Sequence, residues 1–279
     1  MATRFVNKKT RSFYFDDANG TEQSYVLIFG DEVNTLTGTA SKGAEYSRVS
    51  VRGRTGQWKV PELSTARPLE MYFLDVGQGD AAFIVTPNNT KILVDGGLKR
   101  QALGFLIWKY RLDQPGNTVT IDHLFLSHAD KDHVEGLVPL LDHDAITVGN
   151  IHHNGIGLFN AGHFETRVGD RSPDFTRLVT LHNTTANLNG LPLASSNTAV
   201  FADWMRAVRA SGAHYRRRDV SDDVLDIGDP EISLRITGPV LEPDGASLRW
   251  FDSKSAGTTT HSKTINGHSL TFQMTHNHV

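Results

Sequence analysis

The segment "LSHADKDHVEGL", Leu126 to Leu137, places His128, Asp130, Asp132 and His133 within six positions. Four titratable groups that close together repel one another or compete for protons unless a shared cation joins them. Imidazole nitrogens and carboxylate oxygens both suit zinc, and a larger carboxylate share moves preference toward manganese or magnesium. The competing reading is a solvated polar turn in which Asp132 caps the helix opened by "VEGL". A loop leaving the end of a buried strand can turn all four donors inward, so we carry the shared cation forward.

Such a loop needs a scaffold. After Pro68 the runs "LEMYFLDVG", "AAFIVT", "KILVDGG" and "IDHLFLSH" are near-continuous apolar strands ended by turn residues, as in a sheet covered on both faces. Residues 100 to 112 and "TAVFADWMRAVRASG" read as amphipathic helices, and "VEGLVPLLDH" begins another. Strands alternating with helices predict α/β layering. Further strands fall in "VLDIGDPEISLRITGP" and "HSLTFQMTH", with a polar loop between them. Before Pro61 the runs "SYVLIFG", "SRVSVRG" and "GQWKV" are shorter and alternate, predicting a small barrel-like β module over residues 1–60. A linker at 61–68 and a main domain over 69–279 follow.

The 28 basic and 31 acidic side chains give a net charge of -3, which supplies no global attraction for nucleic acid or anionic lipid. The chain has no cysteine, so disulfides, thiolate zinc sites and a cysteine nucleophile are excluded. No apolar run reaches signal-peptide or membrane-spanning length, and the expectation is a cytoplasmic protein with no membrane partner. "HYRRRD", with Arg216, Arg217 and Arg218, reads as a solvated charge run or as a phosphate clamp.

These motifs resemble a known family. "SHADKDHVEGL" is similar to the second motif of the metallo-β-lactamase fold, with Asp130 where a histidine is common. "MYFLDVGQGDAAFIV" followed by "KILVDGG" resembles the opening of the ComEC-like competence-protein branch in a standalone soluble form. The resemblance implies an αββα sandwich holding two divalent ions, zinc or manganese. It makes His128 and Asp130 ligands of one ion, and Asp132 and His133 ligands or general base at the other. Asp132 is the candidate catalytic residue, and Asp95, just before Gly96-Gly97, resembles the carboxylate that orients the ligating imidazoles. Gln78 and Asp80 are expected near the site, although Gly77 and Gly79 also make sense as a tight turn. "NIHHNG" offers His153 as a further ligand, and His276 with His278 form a weaker same-face pair.

Family members continue with a Gly-Asp strand whose Asp bridges the metals, so the resemblance implies a sandwich incomplete at its C-terminal end. The expected function is metal-dependent hydrolysis of a phosphodiester, plausibly nucleic acid, by the full-length protein. The alternative is an inert binding or signalling module with a degenerate site, recruiting a protein partner through the N-terminal β module.

Overall fold

The computed structural model describes residues 2–8, 10–17, 19–159, 164–191, 200–251 and 260–277. The chain divides into two compact units, Met1–Glu70 with Thr86–Asn89, and Met71–Val85 with Thr90–Val279. In the first, strands β1 (Ala2–Val6), β2 (Thr10–Asp16), β3 (Glu22–Ile28), β4 (Glu32–Thr35), β5 (Tyr46–Val51), β6 (Arg54–Lys59) and β7 (Leu63–Ser64) form one sheet. Its order is β3-β2-β6-β5-β4-β1-β7 and every neighbouring pair is antiparallel. Alternation along these strands turns one set of side chains inward, where Phe13, Leu27, Val33, Val49 and Trp58 form a core.

The second unit runs β8 (Glu70–Phe73), β9 (Ala82–Val85), β10 (Lys91–Val94), α1 (Gln101–Tyr110), β11 (Val119–Leu126), α2 (Lys131–Val134), α3 (Val138–Leu141) and β12 (Ile146–His153). It continues with β13 (Arg177–Leu178), α4 (Thr185–Gly190), α5 (Val200–Ser211), β14 (His214–Arg217), β15 (Val224–Leu225), β16 (Ile232–Gly238), β17 (Leu248–Arg249), α6 (Thr260–Gly267) and β18 (Thr271–His276). A six-stranded sheet has the order β14-β12-β11-β10-β9-β8, parallel from β10 through β14. Leu103 and Leu106 of α1, Leu140 of α3, and Phe201, Trp204 and Met205 of α5 are buried in one core with Phe83, Leu93, Leu124 and Ile151 of that sheet. Full burial of each such side chain contributes about 1.5–3 kcal/mol.

On the other face, Phe125 of β11 meets Phe272 of β18 with ring centroids 4.8 Å apart. Strand β18 is an edge of the sheet β15-β16-β18. Helices, sheet and second sheet therefore stack as the layers of an α/β sandwich. Two expectations need correcting: the polar stretch between β16 and β18 is not a loop throughout but carries β17 and α6, and "VEGLVPLLDH" is not one helix but α2, a 3₁₀ turn at Glu135–Leu137, and α3. The physical reasons are local. Pro139 lacks an N–H, and Gly136 donates its N–H to the Gly97 carbonyl (2.9 Å) instead of to a helical partner.

Candidate metal centre

Strand β10 ends at Val94, and Asp95 follows with a left-handed backbone, φ 55°. Its N–H bonds to the Phe125 carbonyl at 2.8 Å, which ties it to the end of β11, where the His128 loop begins. The next residues are threaded tightly past that loop. A Cβ on Gly136 would stand 2.0 Å from the Gly96 carbonyl oxygen, and one on Gly79 would stand 1.8 Å from the Asp132 carbonyl oxygen. Gly79 also has φ +78°, so it both turns the "DVGQGD" loop and lets it touch the backbone of Asp132.

Asp95 is buried, and its carboxylate accepts three hydrogen bonds: Ser127 N–H (2.7 Å), Ser127 Oγ (2.6 Å) and His133 Nδ1 (2.9 Å). These fix the tautomers of two imidazoles. A carboxylate only accepts, so the single Ser127 hydroxyl proton goes to Asp95, and His128 Nδ1, 2.9 Å from Ser127 Oγ, must donate. His133 likewise commits its Nδ1–H to Asp95. Both rings then carry their lone pair on Nε2, the ligating form. The two ring centroids lie 4.0 Å apart.

Burial, followed by the charge of His133, holds His128 below the ordinary histidine range against the pull of Asp130, Asp95 and Asp132. At His133 burial acts in the same direction, but the Asp95 hydrogen bond and charge, with Asp132 and Asp80, outweigh it and raise the pKa. His128 Nε2 stands 3.7 Å from Asp130 Oδ2. Two donors each about 2.1 Å from one tetrahedral ion lie about 3.4 Å apart, so this pair spans a distance that one ion can bridge. The capping alternative fails on geometry: Asp130, not Asp132, occupies the N-cap of α2 and makes no side-chain cap hydrogen bond.

The other expected residues fall as follows. Asp80 is exposed and acts on His133 through its charge. Gln78 is exposed on the same loop, its N–H on the Val76 carbonyl at 3.0 Å. His153 ends β12, fully buried beside Tyr215, Phe201 and Trp204, with Nδ1 3.1 Å from the Tyr215 hydroxyl. Burial, then the charges of His182 and His128, press its pKa down to about 3. Its Nε2 has no hydrogen-bond partner among the described residues. His276, at the end of β18, lies 3.5 Å from Glu231, while His278 lies outside the described residues.

Three residues of this site carried no local signal in the sequence: Ser127, which relays Asp95 to His128; Asn266, whose Nδ2 donates to Asp130 Oδ2 at 2.9 Å; and Ser269, 3.4 Å from His128 Nδ1. The three arginines do not form one solvated run. Arg217 pairs with Asp219 at 2.6 Å and Arg218 with Asp222 at 2.7 Å, leaving Arg216 as the exposed one. Arg218 Nε also donates to His152 Nδ1 (3.1 Å), which obliges His152 Nε2–H to donate to His123 Nδ1 at 3.0 Å. His123 in turn bonds to the Ile227 backbone.

Residues 74–245, more than half of the chain, match the family model described as the metallo-beta-lactamase superfamily. The chain belongs to that superfamily. Among solved structures it is similar to metallo-beta-lactamase SMB-1 bound to 2-mercaptoethanesulfonate, at 14% identity and TM-score 0.32, over 64% of this chain and 53% of that one. It is also similar to MEM-A1, a subclass B3 metallo-beta-lactamase from a soil metagenome library, at 15% identity and TM-score 0.31, over 68% of this chain and 62% of that one. This metallo-beta-lactamase superfamily chain thus spans about half to three-fifths of the length of those two proteins, and no curated protein matches it. No helix among the described residues is long and apolar enough to cross a membrane.

The fold typically binds divalent metals, often zinc. The residues here fit such an ion in donor chemistry: two imidazoles with fixed Nε2 lone pairs, the neighbouring carboxylates of Asp130 and Asp132, and the unpartnered buried nitrogen of His153. Leaving a buried polar atom unpaired is costly, and a cation would relieve it. Among the described residues no three His, Asp or Glu side chains already form a closed metal cage.

Proposed function

We propose that the second unit is a metal-dependent hydrolase acting on a phosphodiester, with His128 and Asp130 holding one divalent ion, and Asp132 and His133 serving a second. His153 contributes a further nitrogen. The observation that carries this reading is the Asp95–Ser127 relay, which leaves His128 and His133 each with Nε2 as acceptor. When bound, a divalent cation supplies a water of lowered pKa and neutralises charge developing on phosphoryl oxygens. The chain's own part is to orient the imidazoles through Asp95, to keep the lone pairs on Nε2, and to offer Asp132 as the group that takes a proton. A carboxylate at position 130, in place of a third motif histidine, favours harder ions such as manganese. That choice, with the resemblance of the "DVGQGD" and "DGG" segments to the ComEC-like branch, supports a phosphodiester and a nucleic-acid partner over a β-lactam.

Hydrolysis of bis-p-nitrophenyl phosphate and of nitrocefin by the purified chain, with manganese or zinc added, tests the proposal. We expect metal-dependent cleavage of the phosphodiester, lost on chelation and in Asp132→Ala, with nitrocefin untouched. Cleavage of nitrocefin alone, or phosphodiester cleavage indifferent to chelation, overturns it. The second reading, an inert module recruiting a protein partner, is favoured by the lack of a closed three-donor cage among the described residues. It requires a chain that retains no divalent ion.

A further inference from the structure

Helix α6 and the turn after it lie far along the chain from the His128 loop, and nothing in their composition marks them as part of a site. Three hydrogen bonds nevertheless fasten this turn to the loop and its surroundings. Leu270 N–H donates to the Ser127 carbonyl at 2.8 Å, Asn154 Nδ2 to the His268 carbonyl at 2.8 Å, and Asn266 Nδ2 to Asp130 Oδ2 at 2.9 Å. Asn154 is fully buried, so the turn is anchored from within. The orientation of the Asn266 amide is not arbitrary. Its Nδ2 also donates to the Ser262 carbonyl one helical turn back (2.8 Å), and both partners are acceptors, which requires the NH₂ group at that position.

We propose that Asn266 is a positioning residue of the metal centre: by occupying one lone pair of Asp130 Oδ2 it sets the carboxylate's rotation and leaves its remaining lone pairs to a cation shared with His128 Nε2. This rests on the metal-centre reading above and deepens it. Ser269 Oγ, 3.4 Å from His128 Nδ1 and donating to the Asn266 carbonyl at 2.9 Å, ties the same turn to the second ligand. Loss of such an outer hydrogen bond costs metal affinity on the order of 10–100-fold. Because Asn266 is exposed, its loss costs the metal-free fold little.

Cobalt(II) titration of the whole chain, followed by calorimetry and by the visible ligand-field spectrum, tests this with the variants Asn266→Leu and Lys263→Ala. Leucine keeps the size of asparagine and removes its donors, while Lys263 is exposed on the same helix. The expected result is a cobalt affinity lowered about 10–100-fold and an altered spectrum in Asn266→Leu. Native affinity in Lys263→Ala and a nearly unchanged metal-free melting temperature in both are expected alongside it. Native-like affinity and spectrum in Asn266→Leu overturn the positioning role alone, and an equal loss in Lys263→Ala reassigns the effect to the helix and overturns it too. A native chain that binds no cobalt overturns the metal-centre reading, and this inference with it.

Discussion

The second unit contains two histidine clusters that use the same side chains to opposite ends. Around Asp95, the rings of His128 and His133 spend Nδ1 on the protein and keep Nε2 as a lone pair. Between Arg218 and the Ile227 backbone, the rings of His152 and His123 are linked nitrogen to nitrogen, and every ring nitrogen is committed. Both clusters are largely buried, and both lie at or near the C-terminal halves of β11 and β12. Proximity and burial therefore do not separate a ligating histidine from a structural one; the uncommitted nitrogen does. A buried network with every member satisfied contributes rigidity, whereas one with a spare acceptor is ready for a cation.

The largest expected effect follows directly. His128→Ala should abolish binding of the ion assigned to His128 and Asp130, with a smaller fall in melting temperature than that of His152→Ala. His152→Ala should do the reverse. Removing His152 takes the acceptor from the buried Arg218 Nε and opens a cavity beside Phe125, whose ring centroid lies 4.5 Å from that of His152. A cost of about 3 kcal/mol follows from an unpaired buried donor plus lost packing. Calorimetric titration and thermal melts of the two variants check this, and a metal defect in His152→Ala at temperatures where it is folded would erase the distinction between the clusters.

Asp95→Asn should come next. An amide accepts at only one of the two oxygen positions: its NH₂ must face either Ser127 N–H or the Ser127 Oγ and His133 Nδ1 pair, so either the backbone anchor or the relay to the rings is lost, and metal affinity falls about 10–100-fold. Gly79→Ala should be milder in affinity and should act chiefly at Asp132, whose carbonyl the added Cβ meets, with added strain in the turn from its positive φ. Its signature is a reduced turnover with the affinity of the His128 ion retained, read by comparing cobalt titrations with phosphodiester kinetics.

How much of this was open to sequence reasoning depends on the distance over which a signal acts. The strands around Phe83, Leu93 and Leu124 and the helices at 101–110 and 200–211 are written in runs and periods that any window reveals. The clustered donors of "HADKDH" were legible for the same reason. Asn266 was not, because its partner Asp130 is 136 positions away and a single Asn in a short polar helix carries no apolar period to betray it. Ser127 was hidden differently: it lies inside the quoted motif, but its part depends on a carboxylate 32 positions earlier. In "NIHHNG" the choice of His153 over His152 rested on resemblance, not on any physical difference between the two. Successive residues of a strand face opposite ways, and so one meets Phe125 and Arg218 while the other meets Trp204 and Tyr215.

The smallest effect concerns pH. Burial, with the charges of Arg218, His123 and Arg216, holds folded His152 at about 2, against about 6.5 for an ordinary histidine. The unfolded chain thus takes up a proton in this window that the folded chain refuses. Stability from this group is complete above 6.5 and falls as the pH drops toward 2, by about 1.4 kcal/mol per pH unit. Urea midpoints at about pH 7 and about pH 5 should therefore fall further in the native chain than in His152→Gln, and equal declines would contradict the assignment.

The contrast between the two clusters is tested most directly by long-range ¹H–¹⁵N spectra of the histidine rings, recorded before and after addition of zinc. The account predicts Nδ1–H tautomers for His128 and, in its neutral form, for His133. It predicts zinc-induced shifts at the Nε2 of both, and an Nε2–H tautomer for His152 that zinc leaves unmoved. An Nε2–H tautomer at His128, or zinc shifts confined to His123 and His152, would contradict it.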